Sequence, residues 1–314
     1  MSELMSLLNR ALVRVLPAVP RPVVRRLSAR YIAGPELGDA RRVVAGLNAA
    51  GKLATVDVLG EEIEHPAEAR TIARSYLDAL AAFHEDGLEA NVSVKLTGLG
   101  LKLDRALCKS NLQSIAGRAQ ELGGRLVRID MEDSSTTDAT LELYRELRDE
   151  GHENLGVVLQ AALRRTIEDA RALAGANVRL CKGIYVEPEE IAFPDDESVR
   201  ANFARALDVL LDGGCYVGIA THDLQLAEWG ERLVSERGLT ASEYEFQMLL
   251  GVRTELGDRL VADGHRLRIY VPFGRQWYEY SLRRLQENPK VAGYIAADTL
   301  NRVLPGNKVL PKRS

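Results

Sequence analysis

From Lys52 onward the chain repeats one local pattern: a short apolar, β-branched stretch ends in polar or charged residues, and a segment with helical spacing follows. Eight stretches have strand character, at 53–59, 91–96, 126–131, 156–160, 178–181, 216–220, 244–248 and 267–271. Helical spacing fills the intervals at 67–85, 103–122, 137–150, 165–173, 198–212, 224–237 and 254–263. Alternating strands and helices impose parallel pairing, because each helix returns the chain to the end of the sheet where the previous strand began. Eight such units over roughly 260 residues match the size of a closed (β/α)8 barrel, so an α/β TIM barrel is the expected fold. An open doubly wound sheet is the runner-up. It lacks a G-x-G-x-x-G after any strand, and the TGLG at 97–100 has too few glycines.

The expected division is an N-terminal helical segment at 1–50 and the barrel at 51–314. Residues 1–34 carry Arg10, Arg14, Arg21, Arg25, Arg26 and Arg30 against a single acid, Glu3, and their leucines recur at helical spacing. Two readings stand. A basic amphipathic helix can lie on an anionic membrane surface, or a helix can pack on the barrel with its arginines in water. The net charge of −4 gives no electrostatic case for nucleic acid. Cys108, Cys181 and Cys215 are too scattered for a metal or redox pair and suit a reducing compartment. No run reaches the roughly 18–20 apolar residues that span a bilayer. No signal peptide is recognisable, and the expected location is the cytoplasm, with the inner face of the membrane as a peripheral contact under the first reading.

In a barrel of this class, chemistry is placed at the carboxyl ends of the strands. Those ends bring together Asp57 and Glu61; Lys95; Asp130, Met131 and Glu132; Gln160; Arg179, Lys182 and Gly183; Thr221, His222 and Asp223; Glu245 and Gln247; and Tyr270. Lys95, Asp130, Arg179 and Gln247 lie within apolar strands, where a charge is costly unless a ligand or an internal partner compensates. Spacing leaves both options open, including a barrel-filling pair of Lys95 with Asp130. After Pro272 and Gly274, residues 277–285 have helical spacing and carry Arg283 and Arg284. Paired guanidinium groups there form either a carboxylate clamp or a solvated face in which Arg283 pairs with Glu287. The cations at the strand ends are more than one small substrate needs. RLCKGIY could hold a phosphate through backbone N–H groups and a lysine.

The stretches SVKLTGLG, RIDMED, VVLQAAL, VRLCKGIY, IATHD, YEFQMLLG, RIYVPFG and SLRRLQENP together resemble the motif set of proline dehydrogenases. They occur in order between Asp57 and Pro289 and fall at the expected strand ends. The chain is most similar to the monofunctional bacterial type and lacks the DNA-binding and aldehyde dehydrogenase regions of the bifunctional proline utilization protein. The resemblance implies a distorted (β/α)8 barrel with noncovalent FAD at the strand ends and a last helix lying over the active site. It implies oxidation of L-proline to Δ1-pyrroline-5-carboxylate by hydride transfer to flavin N5, with electrons passed to a membrane quinone, as the first step of proline degradation to glutamate.

By position, the resemblance assigns the proline carboxylate to Lys95, Arg283 and Arg284. Tyr270 and Leu180 would pack on the ring, Asp130 would hydrogen-bond Tyr270, and Arg179 would sit near flavin N5. Met131, Gln160, Lys182, Gly183, Ile184, Thr221 and His222 would contact FAD, with Glu245 toward its adenosine part. Glu61 and Arg283 would form an ion pair gating the pocket, and the bulk of Tyr270 favours proline over hydroxyproline. No metal site is expected. A rival flavin barrel, of the methylenetetrahydrofolate reductase kind, would share the fold class and FAD but would not need Lys95 together with Arg283 and Arg284.

Overall fold

A computed structural model describes residues 30–60, 63–278 and 280–281 of the chain. The elements run α1 (Leu37–Ala49), β1 (Leu53–Val58), α2 (Pro66–Glu85), β2 (Ala90–Val94), α3 (Arg105–Glu121), β3 (Val127–Ile129), α4 (Ser134–Asp149), β4 (Leu155–Gln160), α5 (Thr166–Arg171), β5 (Asn177–Cys181), α6 (Asp196–Asp212), β6 (Tyr216–Ala220), α7 (Leu224–Glu236), β7 (Tyr244–Leu249), α8 (Thr254–Ala262) and β8 (Leu267–Phe273). The strands form a closed barrel in sequence order. All pairs are parallel, and β1 pairs with β8 from Leu53↔Arg268 to Val58↔Phe273, which closes the sheet. Among the described residues no helix is long and apolar enough to cross a membrane.

Two layers follow from the strand period of two. Val56, Val92, Ile129, Val178, Ile219, Phe246 and Val271 are buried and face the helices. On α7 a Cβ at Gly230 would meet Ile219 and Phe246, so these strands and that helix interdigitate closely. The alternate residues fill the lumen, and they are unusually polar for a barrel core. Among them stand four cations, Lys95, Arg128, Arg179 and Arg268, and three carboxylates, Asp57, Asp130 and Glu245. A barrel filled in this way must satisfy every charge internally or with a ligand.

Several acids near strand ends have local structural jobs. Asp104, Asp133, Asp195 and Asp223 each cap a helix, accepting from backbone N–H groups of its first turn. Pro272 does not stop the last strand as its ring suggests. It has no N–H to leave unpaired, its carbonyl accepts from Ala33 N at 2.9 Å, and the strand continues to Phe273 before Gly274 turns away at φ +139°. Helix α1 packs on β1 and β8 and adds Ala40 and Val44 to the barrel's core.

Candidate active site

The upper lumen is organised around Asp130. Its Oδ1 accepts from Arg179 Nη1 at 2.6 Å and from Ser93 Oγ at 2.7 Å. Its Oδ2 accepts from the Tyr270 hydroxyl at 3.0 Å and lies 3.7 Å from Lys95 Nζ. Lys95 donates to Tyr270 OH at 3.1 Å and more tightly to Asp57 Oδ2 at 2.8 Å. Arg179 is further held by Gln247 Oε1 at 2.5 Å. Lys95 Nζ and the Arg179 guanidinium stand 5.9 and 5.4 Å from the centre of the Tyr270 ring. Both cations are therefore within reach of the ring's quadrupole.

Burial alone would push the Asp130 carboxyl up, but Arg179 and Lys95, helped by the Ser93 and Tyr270 hydroxyls, hold it below its ordinary value. Burial, with Asp130 and Asp57 nearby, pushes the Tyr270 phenol well above its ordinary value. At neutral pH the site thus holds an ionised Asp130 and a protonated Tyr270. Ser93 is an addition to the residues legible in sequence. It stands on β2 two positions before Lys95, which directly follows the strand, and period-two parity could have placed it in the lumen beside Lys95.

The lower lumen holds Glu245. Arg268 clamps it in a fork, Nε to Oε1 at 2.7 Å and Nη2 to Oε2 at 3.0 Å. Gln247 Nε2 donates to Oε1 at 2.5 Å and Tyr216 OH to Oε2 at 3.0 Å. Glu245 is 1% exposed. The expected contact with the adenosine part of a cofactor is therefore corrected: Glu245 lies near the start of β7, saturated by internal donors, and not at the strand tips. Gln247 links the layers, donating to Glu245 below and accepting from Arg179 above. Next to it Arg128 donates to Val157 O, Asn177 O and the Asn177 side chain. Burial, then the neighbouring Arg179, lowers Arg128 to about 9. Its guanidinium occupies the space over Gly156, where a Cβ would come within 2.6 Å of Nη1.

Leu180, expected against the proline ring, faces the other way. It is fully buried and follows Arg179 directly, and Arg179 points into the lumen at Asp130. Adjacent strand residues face opposite sides, so Leu180 belongs to the layer against the helices and cannot pack on a ligand beside Tyr270.

Around the rim, Met131 is buried and Gln160 Nε2 donates to Glu132 O at 2.8 Å. Gly183 adopts φ +94°, and a Cβ there would meet the Gln160 side chain at 3.1 Å and that of Ala162 at 3.2 Å, so this turn requires glycine. Lys182 lies 2.9 Å from Asp223 and 3.6 Å from Asp196. Thr221 Oγ1 accepts from Asp223 N, and His222 Nε2 accepts from Leu249 N at 2.8 Å, which places the proton of a neutral ring on Nδ1. Ile184 and Val186 are 54% and 102% exposed, with Tyr185 between them. Glu61, Arg283 and Arg284, expected in the gate and the clamp, lie outside the described residues.

A family model described as proline dehydrogenase matches residues 40–297. Proline dehydrogenase 1 of Bacillus subtilis (strain 168) is 38% identical over 280 residues, covering 88% of this chain and 92% of that protein. Proline dehydrogenase of Deinococcus radiodurans is 36% identical over 300 residues, covering 91% of this chain and 96% of that protein. The solved structure of proline utilization A from Bdellovibrio bacteriovorus, inactivated by N-propargylglycine, shares the fold with a TM-score of 0.79 at 23% identity. That alignment covers 96% of this chain and 40% of the larger protein. With an eight-stranded barrel, a lysine and an arginine converging on one buried carboxylate at its mouth, and these matches over most of its length, the chain belongs to the proline dehydrogenase family.

Proposed function

We propose that this chain oxidises L-proline to Δ1-pyrroline-5-carboxylate with FAD as its cofactor and a quinone as electron acceptor, as the first step of proline degradation to glutamate. The observation that carries the reading is the Lys95–Asp57–Tyr270–Asp130–Arg179 cluster, supported by the family match. A flavin suits the rim. Gly183 allows close backbone approach, and the outward apolar side chains Ile184 and Val186 offer a surface that a planar heteroaromatic would cover. Met131, Gln160, Lys182, Gly183, Ile184, Thr221 and His222 are the residues proposed to hold it. A flavin held there would supply the acceptor for the hydride lost from the ring carbon next to nitrogen.

The protein's part is orientation and charge. Lys95, joined by Arg283 and Arg284, is proposed to fix the carboxylate of proline, which leaves the far edge of the ring toward the cofactor. Asp130 keeps the Tyr270 hydroxyl and Arg179 in place. Arg179 supplies positive charge beside the cofactor, and the surrounding cations favour loss of the amine proton before transfer. Glu61 with Arg283 is proposed to close the pocket. The basic segment at 1–34 is proposed as the peripheral membrane contact through which quinone is reached.

Two measurements test this reading. Proline added anaerobically to the purified protein is expected to bleach the visible flavin absorbance, and NADH to leave it unchanged. Bleaching by NADH and not by proline would overturn the assignment. The Tyr270 hydroxyl is held by Lys95 and Asp130, and its ring is proposed as one wall of the substrate pocket. Tyr270→Ser is expected to raise kcat/KM for hydroxyproline relative to proline by roughly tenfold, the scale of one removed steric conflict. An unchanged ratio would show that the wall lies elsewhere.

A further inference from the structure

Tyr76 belongs to the outer helix α2, yet it is 1% exposed and its hydroxyl reaches into the barrel wall between β1 and β2. These strands pair from Ala54↔Ala90 to Val56↔Val92, with Ala54 N donating to Glu89 O at 3.1 Å. Continued two steps at a time, that parallel ladder would join Val58 N to Ser93 O. The phenol takes the place of that bond. It accepts from Val58 N at 3.1 Å and lies 2.8 Å from Ser93 O. It also lies 3.0 Å from Asp57 Oδ1, whose other oxygen, Oδ2, holds Lys95 at 2.8 Å.

A phenol has one proton. Having accepted from Val58, Tyr76 has two acceptors for that proton, Ser93 O and Asp57 Oδ1. Burial and the Asp57 carboxylate push the phenol well above its ordinary value, so the proton stays on it. Asp57 is fully buried, so a donor that faces it counts for more whenever Lys95 is drawn elsewhere.

We propose that Tyr76 is a positioning residue for substrate binding: its one proton turns from Ser93 O to Asp57 Oδ1 when an incoming carboxylate draws Lys95 away. The donor then compensates the buried carboxylate, and Lys95 is released to the substrate. The inference rests on Lys95 binding the carboxylate of proline. Without the hydroxyl, Asp57 keeps its grip on Lys95 and the substrate must compete for it.

The test is a double-mutant cycle in the full-length holoenzyme, with Tyr76→Phe and Lys95→Met, read by steady-state kinetics and by inhibition with cyclopentanecarboxylate, a carboxylate without an oxidisable amine. Tyr76→Phe is expected to raise both the proline KM and the inhibition constant on the order of tenfold, with a smaller change in kcat, as for one hydrogen bond to a charged group. In the Lys95→Met background it is expected to raise neither. A merely structural role would raise both constants equally in both backgrounds, and that result, or no rise in either, overturns the proposal. If Lys95→Met alone leaves KM unchanged, the carboxylate role of Lys95 is what fails. Should Tyr76→Phe not fold, Asp57→Asn removes the competing charge directly; the proline KM is then expected to fall, and an unchanged or higher KM overturns the proposal.

Discussion

Asp130→Ala is expected to destabilise the protein by about 3–5 kcal/mol and to lower kcat/KM for proline by roughly a hundredfold or more. Four groups converge on this carboxylate: Arg179, Ser93, Tyr270 and, at 3.7 Å, Lys95. Removing it strands the buried Arg179 with Gln247 and Ser93 as partners, neither of them charged. The cost of an uncompensated buried charge exceeds the worth of the pair itself. The same substitution takes the acceptor from the Tyr270 hydroxyl, which keeps the contact from Lys95 at 3.1 Å but loses the bond that aims its proton. Asp130→Asn retains the volume and one acceptor oxygen and is expected to fall between wild type and Asp130→Ala in both properties. Urea unfolding followed by tryptophan fluorescence gives the first quantity, and steady-state kinetics the second. A loss of stability under about 1 kcal/mol would mean that the lumen rearranges around the missing charge.

The barrel was legible because its two kinds of segment are written directly in the chain: eight strand-like stretches alternate with seven helical intervals, and the strands of the structure overlap all eight stretches. The lumen was partly legible for the same reason. Lys95, Asp130, Arg179 and Gln247 are polar residues within apolar strands, and all four meet in one hydrogen-bonded network. Spacing could not choose partners across the barrel. Lys95 is closer to Asp57 than to Asp130, 2.8 against 3.7 Å, because partner choice depends on stagger around the closed sheet, which no local pattern encodes. Leu180 was misplaced although parity with Arg179 is readable from the two letters alone. Tyr76 was invisible: as a buried aromatic on an amphipathic helix it reads as ordinary core, and only the three-dimensional ladder reveals that its hydroxyl interrupts β1–β2 pairing.

Glu245→Ala separates a structural carboxylate from a cofactor contact. The variant is expected to lose about 3–5 kcal/mol of stability, because Arg268 loses its two-pronged partner and the nearby Arg128 loses a compensating charge. Replacing Arg268 as well, in Glu245→Ala/Arg268→Met, is expected to restore a large part of the loss, since the unpaired cation is removed with its partner. The pH dependence has a definite sign. Burial would raise the Glu245 carboxyl, but Arg268, with Gln247 and Arg128, holds it below its ordinary value. The unfolded chain therefore binds a proton at a pH where the folded protein does not, and the contribution is complete above the ordinary glutamate value, near about 4.3. It is lost as pH falls through the lower folded value. The stability gap between wild type and Glu245→Ala should accordingly narrow as the solution is acidified below about pH 4. A contact with the adenosine part of the cofactor would instead weaken FAD retention at neutral pH in any variant that folds. With FAD as the proposed cofactor, the internal position of Glu245 predicts unchanged flavin affinity in the folded double variant, measured by flavin fluorescence on dilution, and a loss of roughly tenfold there would return Glu245 to the cofactor site.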